Sequence, residues 1–232
     1  MRLSRRGFIR TAGVLGLEML ACGTSRWADA KVIPDYPEVK VRPALDPNSL
    51  AKFVDPLPIP AVAQPAGLRP SPADPARKIP FYRIEMREFR AKLHRDLKPA
   101  QQWGFGGAFP GPTFETRSAE PLLVEWVNAL PPKHFLPIDH RLHGAEKSLP
   151  DVRAVVHLHG GRTPPDSDGY PESWYTPGKS ARAFYPNQQD AAMLWYHDHA
   201  MGINRLNIFA GLAGAFVIRD DEERSLNLPR GK

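Results

Sequence analysis

Polar and apolar residues alternate along "FYRIEMREF" (81–89), with Tyr82, Ile84 and Met86 on one side and Arg83, Glu85 and Arg87 on the other. A period of two predicts a strand with one buried face. "PLLVEWVNAL" (121–130) reads as a second strand, closed by Pro131 and Pro132. "VRAVVHLHG" (152–160), "AMLWYHDH" (192–199) and "LAGAFVIRD" (212–220) are three more apolar runs bounded by turn residues. Between the last two, "AMGINRLNI" (200–208) has room for one or two helical turns. "WGFGGAFPGPTFE" (103–115) is dense in Gly and Pro, so it predicts turns leading into a short strand. Short strands, many turns and little helix predict an all-β sandwich or barrel.

The pattern changes before residue 79. Residues 31–80 hold twelve prolines, which exclude a helix or a central strand. Residues 31–78 are therefore expected to form a Pro-rich extended arm. The spacing of Phe53, Val54, Leu57 and Ile59 predicts that 50–60 packs on the fold. For 61–78, an arm and a disordered leader are both open. Residues 79–220 form the expected domain, and 221–232 the start of a linker.

The first thirty residues read as an export signal. "SRRGFIR" (4–10) has two adjacent arginines, one residue ahead of Phe8 and Ile9. A mildly apolar stretch follows, and Ala28-Asp29-Ala30 offers a small-x-small cleavage site. This is the form of a twin-arginine signal, and it predicts a periplasmic or secreted protein. The apolar stretch is too short and too polar for a membrane span.

Charge adds little. The formal net charge is +6, and half of it lies in the first thirty residues, leaving +3 for the rest. With no basic stripe carrying interleaved aromatics, a nucleic-acid partner is not expected. Cys22 is the single cysteine, and cleavage after Ala30 would remove it. The mature chain would then have no disulfide and no thiolate ligand for a metal.

Two His-x-His pairs carry the candidate chemistry: His157 and His159, and His197 and His199. On a strand, residues i and i+2 share a face, roughly 6–7 Å apart at the backbone. If the two strands are neighbours, four imidazoles meet in one small space. Neutral imidazole is a common ligand for copper, zinc and iron. A single histidine on a strand is usually hydrogen-bonded or at the surface. Two such pairs, both at strand ends, point to metal. His94, His134, His140 and His143 lie in loop-like stretches and are expected at the surface or behind the ligands. All-imidazole ligation fits copper or zinc, and spacing does not choose between them.

"VVHLHGGRTPPDSDGYPESWY" (155–175) and "YPNQQDAAMLWYHDHAMGINRLNIFAGLAGAFVIRD" (185–220) resemble the first domain of bacterial multicopper oxidases, of the spore-coat laccase and bilirubin oxidase type. "LAKFVDPLPIP" (50–60), "LHRDLKPAQQWGFGGAFPGPTFE" (93–115) and "HFLPIDHRLHG" (134–144) agree, in the same order. The resemblance covers roughly residues 50 to 230. It implies a Greek-key cupredoxin-like β-sandwich and a laccase-like oxidoreductase. Such an enzyme oxidises phenols, pigments or metal ions and reduces dioxygen to water at a three-copper cluster. By the resemblance, His157 matches a ligand of the type 2 copper, and His159, His197 and His199 match ligands of the type 3 pair. In the same resemblance, Asp168 matches an acid near the type 2 copper that would relay protons. Trp195, Tyr196 and Phe209 are expected to pack around the cluster.

The sequence also departs from that family. The family's remaining cluster ligands come from His-x-x-His-x-His and His-Cys-His motifs, which also supply the type 1 copper site. Neither motif is present here. The expectation is a truncated first domain with half the cluster ligands and no type 1 site, inactive alone. Its missing C-terminal cupredoxin domains would lie in cis or in trans. An exported copper carrier without oxidase activity is the alternative. A zinc hydrolase is a third reading, in which Asp198 or Asp168 would be the general base.

Overall fold

The computed structural model describes residues 45–229. The expected signal, 1–30, and the first part of the arm lie outside the described residues. Residues 45–52 belong to a separate unit. They hold one 3-10 turn, Pro47–Ser49, capped by Asp46, whose carboxylate accepts the Asn48 N–H.

The remainder is two β-sheets. Strands β1 (Gly67–Pro70), β2 (Lys78–Ala91), β5 (Leu122–Asn128) and β7 (Ser180–Tyr185) form the first, with β3 (Ala100–Phe105) also paired to β2. Strands β4 (Gly111–Arg117), β9 (Ala213–Arg219), β8 (Ala192–Asp198) and β6 (Val156–His159) form the second, in that order. The pairs β2–β5 and β4–β9 are parallel and the others antiparallel. Helix α1 (Asn204–Ala210) follows β8, and α2 (Asp221–Ser225) follows β9. None of the described helices is long and apolar enough to cross a membrane. The expected all-β sandwich is the observed architecture.

The alternation in β2 does what its period predicts. Tyr82, Ile84 and Met86 are buried, while Arg83 and Arg87 pair with Glu85 on the outside. Between the sheets lies an aromatic core of Trp103, Phe105, Phe114, Trp126, Tyr185, Tyr196 and Phe216. Its rings meet largely edge to face, as in Phe105–Tyr196 at 4.9 Å and Phe105–Trp126 at 5.3 Å, the geometry that aligns ring quadrupoles favourably. The polar tips are satisfied. Trp126 Nε1 donates to Tyr185 Oη at 3.2 Å, and Tyr196 Oη donates to the Pro112 carbonyl at 2.7 Å. Gly214 makes room for Tyr196, because a Cβ there would stand 2.3 Å from its ring.

The N-terminal segment differs from expectation. Phe53, Leu57 and Ile59, expected to pack, are exposed. What holds this segment is polar: the Asp55 carboxylate accepts the Arg95 N–H at 2.9 Å and its Nε–H at 2.8 Å, and backbone bonds follow further on. Ala63 N–H donates to the Thr113 carbonyl and Thr113 N–H to that of Ala61, both at 2.8 Å. Gly67–Pro70 then adds to the edge of β2, where prolines are tolerated. Strand β6 is shorter than "VRAVVHLHG" suggests. The Val155 N–H leaves the ladder for the Asp198 carboxylate at 3.1 Å.

Candidate metal centre

The register of β6 against β8 builds the site. His157 pairs with His197, and His159 pairs with Trp195. Since i and i+2 share a face, His157, His159, Trp195 and His197 stand on one side of the sheet. Leu158, Leu194 and Tyr196 on the other side are buried in the core. His199 lies just past β8, where its N–H donates to the Val155 carbonyl at 2.8 Å. The imidazole centroids are close: His157–His199 at 4.9 Å, His159–His197 at 5.5 Å, His157–His159 and His157–His197 at 5.6 Å, and His197–His199 at 5.7 Å. The two motifs therefore form one cluster.

Three of the four rings are oriented by main-chain carbonyls. Nδ1 of His157 lies 2.5 Å from the Asp168 carbonyl, Nδ1 of His197 2.7 Å from that of Asp198, and Nδ1 of His199 3.1 Å from that of Gly169. A carbonyl only accepts, so Nδ1 carries the proton and Nε2 presents its lone pair. This is how ligand imidazoles are commonly fixed. His159 differs, because its Nδ1 lies 3.3 Å from Nε2 of His197. Burial holds His197 down to a pKa of about 4, so it is neutral at pH 7 and available as a donor.

The chemistry of this donor set fits an imidazole-bound ion such as copper or zinc. With metal–nitrogen bonds of roughly 2.0–2.1 Å, two donors 3.3 Å apart subtend about 105–110° at an ion between them, near the tetrahedral angle. Yet among the described residues no group of three or more His, Cys, Asp or Glu side chains is placed to hold one ion. The cluster offers donors singly and in pairs.

Asp168 sits beside His157 and follows a 3-10 turn, Pro165–Ser167. Its Oδ1 accepts the Thr163 hydroxyl at 2.6 Å and lies 3.6 Å from His157 Nδ1. Its carboxylate is partly open to solvent. The next residue, Gly169, has φ +76°, and a Cβ there would stand 2.1 Å from the Val156 carbonyl. Only glycine lets this turn lie against β6, which brings the carbonyls of 168 and 169 onto the two rings.

Behind the cluster is a polar network that the motifs do not reveal. Asp198 is fully buried, and burial pushes its carboxyl up to about 7. It accepts N–H bonds from Val155 at 3.1 Å and Ala200 at 3.2 Å, and from Asn207 Nδ2 at 2.9 Å. Asn207 also donates to the Arg153 carbonyl at 3.0 Å and pairs with His134 Nε2 at 3.2 Å. Because His134 Nδ1 accepts the Leu136 N–H, its Nε2 is the donor to Asn207 Oδ1. Arg153, also buried, donates to the Gly144, Pro150 and Met201 carbonyls. His134 is thus a buried residue behind the ligand segment. His143 is exposed, and His140 bonds the Ala145 carbonyl at 2.8 Å. The sequence signal for the network was a polar Asn207 inside an apolar helix pattern. Of the aromatics expected around the cluster, Trp195 stacks on it, Tyr196 faces the core, and Phe209 is exposed.

Residues 146–223 match the family model described as multicopper oxidase. The chain is 47% identical over 191 residues to a laccase of Bacillus subtilis, spanning 78% of this chain and 36% of that protein. It is 37% identical over 244 residues to a laccase of Haloferax volcanii, spanning 98% of this chain and 38% of that one. The fold resembles the crystal structure of a laccase from Pediococcus acidilactici, with a TM-score of 0.61 at 22% identity, over 78% of this chain and 33% of that one. The chain spans a little over a third of the length of the curated relatives it matches. Residues 146–223, which carry both His-x-His pairs, thus match a multicopper oxidase domain, and the chain around them is similar to laccases.

Proposed function

We propose that this chain supplies one wall of a three-copper cluster in a laccase-like oxidase, with the remaining ligands coming from further cupredoxin domains in cis or in trans. The observation that carries this reading is the open pair of His159 Nδ1 and His197 Nε2, 3.3 Å apart with no third donor of the described chain beside them. Such a pair suits an ion whose coordination is completed from the opposite side.

His159 and His197 would hold one type 3 copper, His199 the other, and His157 the type 2 copper. Bound copper would pass single electrons to dioxygen. The chain's own residues hold three of the imidazoles in the tautomer that leaves Nε2 free, and they keep His197 neutral. Asp168 Oδ1, partly open to solvent and 3.6 Å from His157, would hold or hand on a proton during reduction of dioxygen to water. The reducing substrate, a phenol, pigment or metal ion, would be met outside this chain, since no type 1 ligand set occurs here.

Copper titration of the purified chain tests the reading. Weak binding alone, with oxygen consumption when the chain is fused to the later domains of a homologous laccase, supports it. Tight stoichiometric binding and no oxygen consumption in the fusion would favour a copper carrier. We propose export through the twin-arginine signal at Arg5 and Arg6. Changing both to Lys should leave the protein in the cytoplasm, and unchanged export would refute the signal.

A further inference from the structure

We infer that Trp195 is a positioning residue: its indole sets the ring plane of His159, and through it the gap that one metal ion would occupy between His159 and His197. This rests on the metal reading above and extends it to a residue that is not a ligand.

Three observations carry it. First, among the described residues, His159 is the one cluster imidazole with no carbonyl on a ring nitrogen. His157, His197 and His199 are each tied through Nδ1 to the main chain. The His159 ring has only other rings to orient it. Secondly, Trp195 is the cross-strand partner of His159 and stands two residues before His197 on the same face. Its indole stacks on both, at 4.0 Å and 24° to His197 and at 5.3 Å and 25° to His159. Parallel rings leave the in-plane lone pairs uncovered while fixing their direction. Thirdly, Trp195 is 37% exposed, and its neighbours Leu194 and Tyr196 fill the core. The bulk of the indole is not spent on the interior of the sandwich. A tryptophan kept at the surface and stacked on two imidazoles is accounted for by what it does to them.

The test uses the purified full chain and copper(II) alone, with affinity read by competition against a chelating dye. W195A should bind at least about tenfold more weakly, the low end of what loss of a ligand-orienting partner costs. W195F, which keeps a stacking ring, should recover to within about threefold. In an H159A background, W195A should have little further effect, because the residue acts through His159. In the metal-free chain, W195A should also remove the ring-current displacement of the His159 ring protons in the NMR spectrum. Equal affinity of W195A and the parent chain, full additivity with H159A, or an unmoved His159 spectrum would each overturn the inference. Failure of the parent chain to bind copper at all would remove the metal reading as well. That outcome is distinguishable, because the NMR comparison needs no metal.

Discussion

Nδ1 of His159 faces Nε2 of His197 across 3.3 Å, from two antiparallel strands whose register puts both rings on one side of the sheet. The proton on His197 is already committed to the Asp198 carbonyl, so the gap can hold a proton from His159 or a metal ion, but not both. The pair should therefore bind copper as a unit. His159→Ala and His197→Ala are each expected to weaken copper binding by more than the roughly 10–100-fold typical of an orienting partner, and the double variant by little more than either alone. Dye competition on the purified chain would measure it. Additive losses would mean that the two rings serve different ions.

Gly169→Ala should damage the site without touching a ligand. The position has φ +76°, and the new Cβ would press on the Val156 carbonyl. The left-handed backbone alone costs roughly 1–2 kcal/mol for a residue with a Cβ. The turn must also retreat, taking the carbonyls from His157 and His199. Urea unfolding should report lower stability and copper titration a weaker affinity. A variant that loses neither would show that the turn has room.

Asn207→Leu should destabilise the fold although it replaces a polar side chain with an apolar one at a buried position. It strips partners from Asp198, from the Arg153 carbonyl and from His134 at once. Each buried polar group left unpaired costs about 1–3 kcal/mol, so a loss of several kcal/mol in urea unfolding is expected. A drop within about 0.5 kcal/mol, the range of an ordinary surface change, would refute the role given to the network.

His134 gives the chain a pH dependence that needs no metal. Its burial lowers its pKa, against the smaller opposing effect of its bond to Asn207. Below its ordinary value of about 6.5, the unfolded chain takes up a proton that the folded chain resists. Its contribution to stability is therefore intact above that pH and declines as the pH falls below it. Urea midpoints of the metal-free chain at pH 7 and pH 5 should differ less in His134→Gln than in the parent chain. An unchanged difference would place the acid sensitivity elsewhere.

Much of this protein is legible along the chain because period two is a local property. Strand β2, the partition of Tyr82, Ile84 and Met86 from their charged neighbours, and the shared face of His157 and His159 all follow from the pleat. Cysteine and histidine counting likewise limits the ligand chemistry. Strands β3 and β7 and the edge strand β1 were missed, since short runs rich in Gln, Gly, Arg, Ser or Pro carry little periodic signal and owe their pairing to neighbours. What the tertiary structure alone decided is everything that depends on register and loop closure. It set His157 against His197 and His159 against Trp195, and brought the 168–169 carbonyls onto two imidazoles. It also buried His134, Asn207 and Arg153 behind Asp198. These contacts join residues far apart in the chain, and their energies depend on distances that no local pattern encodes.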